Sequence, residues 1–148
     1  MLTPCSAQPV ADAFKALLEL PEVKEHVFTS FDPNIRDKMI PDAKAYAELM
    51  ESWIPLFDMI KISKADLAFL TGEEEGAIDL KAIADRWFAL DNGPSLVVVT
   101  RGGRGSVAYR PGGAEITVAL DPVTVVDAVG ASDSVYNYIR IPRCVWIP

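Results

Sequence analysis

The sequence predicts an α/β fold with a mostly parallel sheet that is flanked by helices and carries a small β-hairpin. Short apolar runs alternate with helical segments along the chain, which is the order of βαβ units. Residues 96–99 are all apolar, as expected of a parallel strand that is buried on both faces. With 148 residues, half of them hydrophobic, the chain can form one domain with a core, and we predict a single domain over residues 1–148.

Each element has a local signal. Helical spacing of apolar residues, with proline or Thr-Gly at the boundaries, predicts four helices: residues 11–20, 41–53, 64–70 and 80–90. We expect the first helix to stop at Pro21 and the second to bury Ala45, Leu49 and Trp53 on one face. Apolar or alternating runs predict three strands and the two arms of a hairpin: residues 27–31, 57–62, 96–99, 106–110 and 115–120.

Composition excludes several classes of function. The net charge is −7 without a basic cluster, which argues against a nucleic-acid partner. No apolar run approaches the roughly 20 residues of a membrane span, and no basic leader precedes an apolar core, so we expect a cytoplasmic chain with no membrane partner. Cys5 and Cys144 are expected to be reduced, and the single histidine, His26, argues against a structural zinc site.

Polar residues follow the predicted strands, at Asp32, Ser63, Thr100 and Asp127. Ligands of parallel sheets bind beyond the carboxyl ends of the strands, so this placement predicts one shared site.

Residues 125–134 combine features of an anion-binding helix start with a candidate base. A β-branched run ends at Asp127, and Gly130 opens a predicted helix whose first positions carry small side chains. The free N–H groups of a first helical turn and the helix dipole favour an anion. The carboxylate of Asp133 could take a proton from an attacking hydroxyl. Alternatively, Asp133 only stabilises the first turn of its helix.

This stretch resembles the second signature of the ribokinase-like (PfkB) carbohydrate kinases, which reads Asp-Thr-x-Gly-Ala-Gly-Asp. The resemblance implies that Asp133 is the catalytic base. It also implies that the backbone of Gly130, Ala131 and Ser132 forms an anion hole. Ala128 stands where the family usually has Thr, and Ser132 stands where it has the second Gly.

Two earlier segments follow in the family's order. Residues 32–36, Asp-Pro-Asn-Ile-Arg, match a segment of fructokinase-like and 2-keto-3-deoxygluconate-kinase-like members. This match implies that Asn34 and Arg36 lie near the sugar and the transferring phosphate, although an ordinary turn has the same composition. Ser63 and Asp66 stand where the family has Asn and Glu, which help to organise magnesium and phosphate. Their alternatives are a helix N-cap and an acid that favours the helix dipole.

Residues 100–105, Thr-Arg-Gly-Gly-Arg-Gly, resemble the family's nucleotide loop. The resemblance implies nucleotide contacts at Thr100, Gly102 and Gly105, since glycine lets phosphate approach the backbone closely. The alternative is a glycine-rich hairpin turn.

The resemblance implies an ATP-dependent sugar kinase that uses Mg²⁺ and phosphorylates a sugar hydroxymethyl group, with fructose or a keto-sugar acid as the first candidate. It extends to about Ser134 and matches the C-terminal, nucleotide-binding part of longer enzymes, so we expect a partial ribokinase-like fold. Residues 135–148 form an atypical tail, which a truncation or a shifted reading frame would explain. Because the sugar-binding half of such enzymes is absent from this sequence, we expect little turnover from this chain alone. The alternative is a non-catalytic, self-associating nucleotide-binding fragment, and a homo-oligomer is expected.

Overall fold

The structure, a computed structural model, describes residues 9–119. Within this range the helices are α1 Val10–Leu18, α2 Pro21–His26, α3 Ala43–Trp53, α4 Lys64–Thr71 and α5 Leu80–Phe88. The strands are β1 Ser30–Phe31, β2 Met59–Ser63, β3 Leu96–Thr100, β4 Ser106–Tyr109 and β5 Glu115–Val118. Short 3₁₀ turns lie at Asp37–Met39, Ile54–Leu56 and Gly102–Arg104. None of the helices in the described range is long and apolar enough to cross a bilayer.

The strands of residues 9–119 form one sheet in the order β1-β2-β3-β4-β5. β1, β2 and β3 run parallel, whereas β4 and β5 are added antiparallel as a hairpin. The predicted α/β fold is confirmed, and the sheet as a whole is mixed because the hairpin reverses the chain direction. The parallel part places the carboxyl ends of β1, β2 and β3 at one edge.

The middle of the sheet is buried on both faces. In β2 the first four residues, 59–62, are buried, and in β3 the three central residues are buried. One face carries the main apolar core, where Ile60 and Ile62 lie beside Val97 and Val99. This burial explains why β2 and β3 read as continuous apolar runs.

Helix α3 shows how the local sequence fixes an element. Asp42 caps it, because its carboxylate accepts a hydrogen bond from the backbone N–H of Ala45 at 3.0 Å. The buried face consists of Tyr46, Met50 and Trp53. Trp53 is buried as predicted and Leu49 is partly buried against the core, whereas Ala45 is exposed. The prediction is therefore wrong for Ala45 alone, because the packing of α3 in the fold decides which of two neighbouring apolar stripes is covered.

Three other elements differ from prediction. Pro21 follows α1, and it is also the first residue of a further helix, α2. Proline fits there because the N–H of a first helical residue has no partner within the helix, so its absence costs nothing. The strand predicted over residues 27–31 pairs only at Ser30–Phe31. The second hairpin arm lacks the predicted alternation of burial, because β5 is exposed at all of its positions.

We predict that Met50→Ala lowers the free energy of unfolding by about 2–5 kcal/mol, since the side chain is fully buried and its removal leaves a cavity. Leu17→Ala is the control, because Leu17 is 49% exposed on α1 and its loss should cost less than about 0.5 kcal/mol. Urea denaturation of both variants measures the difference. Equal losses would contradict the assigned core.

Candidate functional site

Polar residues gather at the carboxyl edge of the parallel strands. Asp32 directly follows β1, Ser63 is the last residue of β2, and Thr100 is the last residue of β3. Ser63 and Thr100 are register partners, so they lie side by side. The predicted convergence is confirmed for these three positions. Asp127 lies outside the described residues.

The four positions of the second signature, Gly130, Ala131, Ser132 and Asp133, also lie outside residues 9–119. The roles of the base and of the anion hole therefore stay predictions.

Ser63 caps helix α4. It has extended backbone angles, and its hydroxyl oxygen accepts a hydrogen bond from the backbone N–H of Asp66 at 3.0 Å. The sequence Ser-Lys-Ala-Asp folds this way because a serine oxygen satisfies an N–H that has no partner in the first turn. The N-cap alternative is thus realised for Ser63, and the cap fixes the direction in which α4 leaves the sheet.

Asp66 connects α4 to the loop after β1. Its Oδ1 accepts a hydrogen bond from the backbone N–H of Ile35 at 3.2 Å. The pKa of this carboxyl is raised, chiefly because burial disfavours the ionised form, and the negative charge of Asp32 acts in the same direction. Hydrogen bonds from Ser63 and from the Ile35 backbone oppose the shift. Asp66 therefore holds a backbone position rather than standing free in the site.

Residues 32–36 alternate between buried and exposed side chains. Pro33 and Ile35 point into the protein, whereas Asn34 and Arg36 are exposed. Asn34 has a φ of 43°, a left-handed conformation that asparagine tolerates better than most residues. The loop therefore presents to solvent the two residues that were predicted to contact substrate.

The loop after β3 is a single 3₁₀ turn, Gly102–Arg104. Gly102 and Gly105 both have positive φ, 58° and 78°. A Cβ on Gly102 would meet open space, whereas a Cβ on Gly105 would lie 1.9 Å from the carbonyl oxygen of Val118. Gly105 is therefore required by the close approach of β5, whereas both Gly102 and Gly103 have open surroundings.

The chain was compared with known proteins. Residues 9–136 match the model of the pfkB family carbohydrate kinases. This chain belongs to that family.

Its relatives in the family include a fructokinase of Rhizobium leguminosarum bv. trifolii, which is 34% identical over 85% of this chain and 36% of its own length. The structure is similar to that of a fructokinase from Vibrio cholerae O395 with fructose, ADP and calcium bound, with a TM-score of 0.67 and 30% identity over 86% of this chain and 39% of that one. It is also similar to a protein from E. coli in complex with ATP and magnesium, with a TM-score of 0.66 and 27% identity over 87% of this chain and 39% of that one. The chain thus spans about two fifths of the length of these family members.

The main residue that sequence reasoning missed is Lys61. It lies in β2 between Ile60 and Ile62, is 1% exposed, and its Nζ donates a hydrogen bond to Oδ2 of Asp32. A charge in a buried strand needs a partner. The lysine within this apolar run therefore indicated a buried ion pair, although the sequence did not show which residue is its partner.

The similar structure from E. coli contains magnesium, and the side chains at this edge include oxygen donors of the kind that magnesium takes. Ser63 and Asp66 offer the oxygen ligands that Mg²⁺ takes. Both oxygens with described contacts are engaged, and residues 9–119 hold no group of three metal-ligating side chains. If magnesium binds at this edge, Ser63 and Asp66 are the described residues that would help to hold it. Its contribution when bound would be to neutralise phosphate charge.

The glycines of the 100–105 loop provide a stability test. Gly105→Ala should lower the free energy of unfolding by more than about 2 kcal/mol, since it adds a backbone clash to the cost of a left-handed alanine. Gly102→Ala should lose only about 1 kcal/mol, because it has the conformational cost without the clash. Gly103→Ala, with open space and no positive φ, is the control. Urea denaturation ranks the three, and Gly102→Ala losing as much as Gly105→Ala would refute the assignment.

The raised pKa of Asp66 predicts a pH dependence. The folded protein holds this proton more tightly than the unfolded chain, so the contribution of Asp66 to stability is complete below the ordinary pKa of 3.8 and is lost as pH rises through the folded pKa. Asp66→Asn keeps an oxygen for the Ile35 N–H but cannot ionise. The unfolding free energy of the wild type should therefore fall relative to that of Asp66→Asn as pH rises over this range.

Denaturation at a series of pH values measures this difference. In Ser63→Ala the loss of a hydrogen bond to the ionised carboxylate should raise the pKa of Asp66 further, as followed by NMR titration. The prediction for Asp66→Asn would be contradicted if the difference in unfolding free energy between it and the wild type were constant, or if it changed in favour of the wild type as pH rises.

Proposed function

We propose that this chain carries the nucleotide-binding and phosphoryl-transfer part of an ATP-dependent sugar kinase, with a ketose such as fructose as the substrate. The observation that carries the proposal is the family match over residues 9–136, combined with polar residues at the carboxyl ends of three adjacent parallel strands. The fructokinases among the relatives favour fructose over other sugars. A keto-sugar acid is the second substrate to be tested.

The proposed chemistry divides among three segments of the chain. Arg36 would hold an anionic group of the substrates with its fork of donors, and Asn34 would contact the sugar. The Thr100 loop, with Gly102 open on its outer side, would contact the nucleotide. Asp133 would accept the proton of the attacking hydroxyl, and amides of residues 130–132 would stabilise charge on the phosphoryl oxygens.

A second candidate is a non-catalytic fragment that self-associates and binds nucleotide weakly. Exposed apolar side chains favour it: Val10, Phe14 and Leu17 on α1 are 42–49% exposed, and Ile116 and Val118 on β5 are 56–63% exposed. Apolar surfaces of this kind invite association. Since the chain spans about two fifths of its relatives' length, the activity of full-length relatives does not by itself decide between the two candidates.

A coupled assay of ADP formation with ATP, Mg²⁺ and fructose tests the kinase proposal. We expect weak fructose-dependent turnover that Asp133→Asn abolishes. Arg36→Gln should lower kcat/KM about ten- to a hundredfold, the usual cost of losing hydrogen bonds to a charged group.

Arg110→Gln is the matched control for Arg36→Gln. Arg110 is exposed and follows Tyr109, which pairs with Val97, so it lies towards the opposite edge of the sheet. Its substitution should leave turnover unchanged. Equal background in the wild type and in Asp133→Asn, together with oligomers in size-exclusion chromatography, would instead support the self-associating fragment.

A further inference from the structure

Lys61 occupies a place where a lysine needs an explanation. Within residues 9–119 it is the only charged side chain that the fold buries almost completely. Its neighbours in the strand, Ile60 and Ile62, are fully buried. Removing an ammonium group from water is costly, and an apolar residue of similar size would serve the core at least as well. Stability of the sheet alone therefore does not account for this lysine.

The sheet register gives Lys61 its partner. Phe31 of β1 is aligned with Ile60 of β2 in a parallel pair. The next residues of the two chains, Asp32 and Lys61, therefore lie side by side, and Nζ of Lys61 donates to Oδ2 of Asp32. The side chain of Asp32 is 19% exposed, so the pair lies just beneath the surface of the site. The lysine fixes the residue with which the 32–36 loop begins.

A second contact fixes the same loop from the other side. The backbone N–H of Ile35 donates to Oδ1 of Asp66, and the backbone N–H of Asp66 in turn donates to the hydroxyl oxygen of Ser63 at the start of α4. Lys61 and Asp66 thus hold the loop at its first and fourth residues. Arg36 follows directly, and within residues 9–119 its guanidinium makes no ion pair.

We propose that Lys61 is a positioning residue, which holds the carboxylate of Asp32 so that the loop presents Asn34 and Arg36 to the substrates. Because the ammonium group neutralises Asp32, the positive charge of Arg36 stays available for an anion. The effect on substrates rests on the proposed kinase function, whereas the effect on the loop does not.

The test compares Asp32→Asn and the double variant Lys61→Met/Asp32→Asn with the wild-type chain of 148 residues. Each single variant, Asp32→Asn or Lys61→Met, leaves one charge of the pair without its charged partner, which costs most where the remaining charge is the buried Lys61, whereas the double variant removes both charges. Amide hydrogen exchange followed by NMR reports on the loop through the N–H of Ile35. The N–H of Thr29, which donates to the carboxylate of Asp58 at 2.7 Å, is the internal control at the other end of the strands.

We expect the double variant to fold, and in each variant that folds we expect the Ile35 amide to exchange about tenfold faster or more, with the Thr29 amide unchanged. If the wild type turns over, the variants should also show an approximately tenfold higher KM for fructose with an unchanged KM for ATP.

Unchanged exchange at Ile35 in folded variants would overturn the inference, and so would equal acceleration at Ile35 and Thr29. Absence of turnover in the wild type would count against the kinase proposal alone, because the exchange measurement would still decide the role of Lys61.

Discussion

Parallel pairing of β2 with β1 on one side and β3 on the other is the constraint on which the rest of the structure depends. Each parallel strand must be left at the same edge and re-entered by a crossover from the opposite end. The residues that follow the strands therefore meet, although the chain between them is long. Asp32 and Lys61 are 29 positions apart and still share a hydrogen bond.

Strand β2 also carries a buried charge, that of Lys61. β2 is apolar on the face that carries the main core, but on the other face it has Lys61 and then Ser63 at its end. Ion pairs of this kind seldom add net stability, because desolvation of both groups opposes their attraction. The pair instead fixes a position, since it ties the start of the 32–36 loop to β2, a buried strand that is paired on both sides.

Local signals in the sequence predicted the elements whose boundaries depend little on what packs against them. Helix α4 begins at its serine cap and ends before Gly72, whose φ of 70° suits a C-terminal glycine. Helix α5 begins after Asp79, which caps it in the same way. The length of β1, the buried face of α3 and the exposure of β5 depend instead on what packs against them. For this reason the period of apolar residues could not decide them.

The sequence by itself determined the family, the α/β order of the elements and the kinds of side chain that stand at the strand ends. These follow from short motifs, from caps and from apolar runs, all of which act over a few residues. Only the tertiary structure decided that Lys61 holds Asp32, that Asp66 holds the Ile35 backbone, and that Gly105 serves the approach of β5. Each of these contacts joins residues far apart in the chain, and the register and packing of the folded sheet bring them within hydrogen-bond or van der Waals distance.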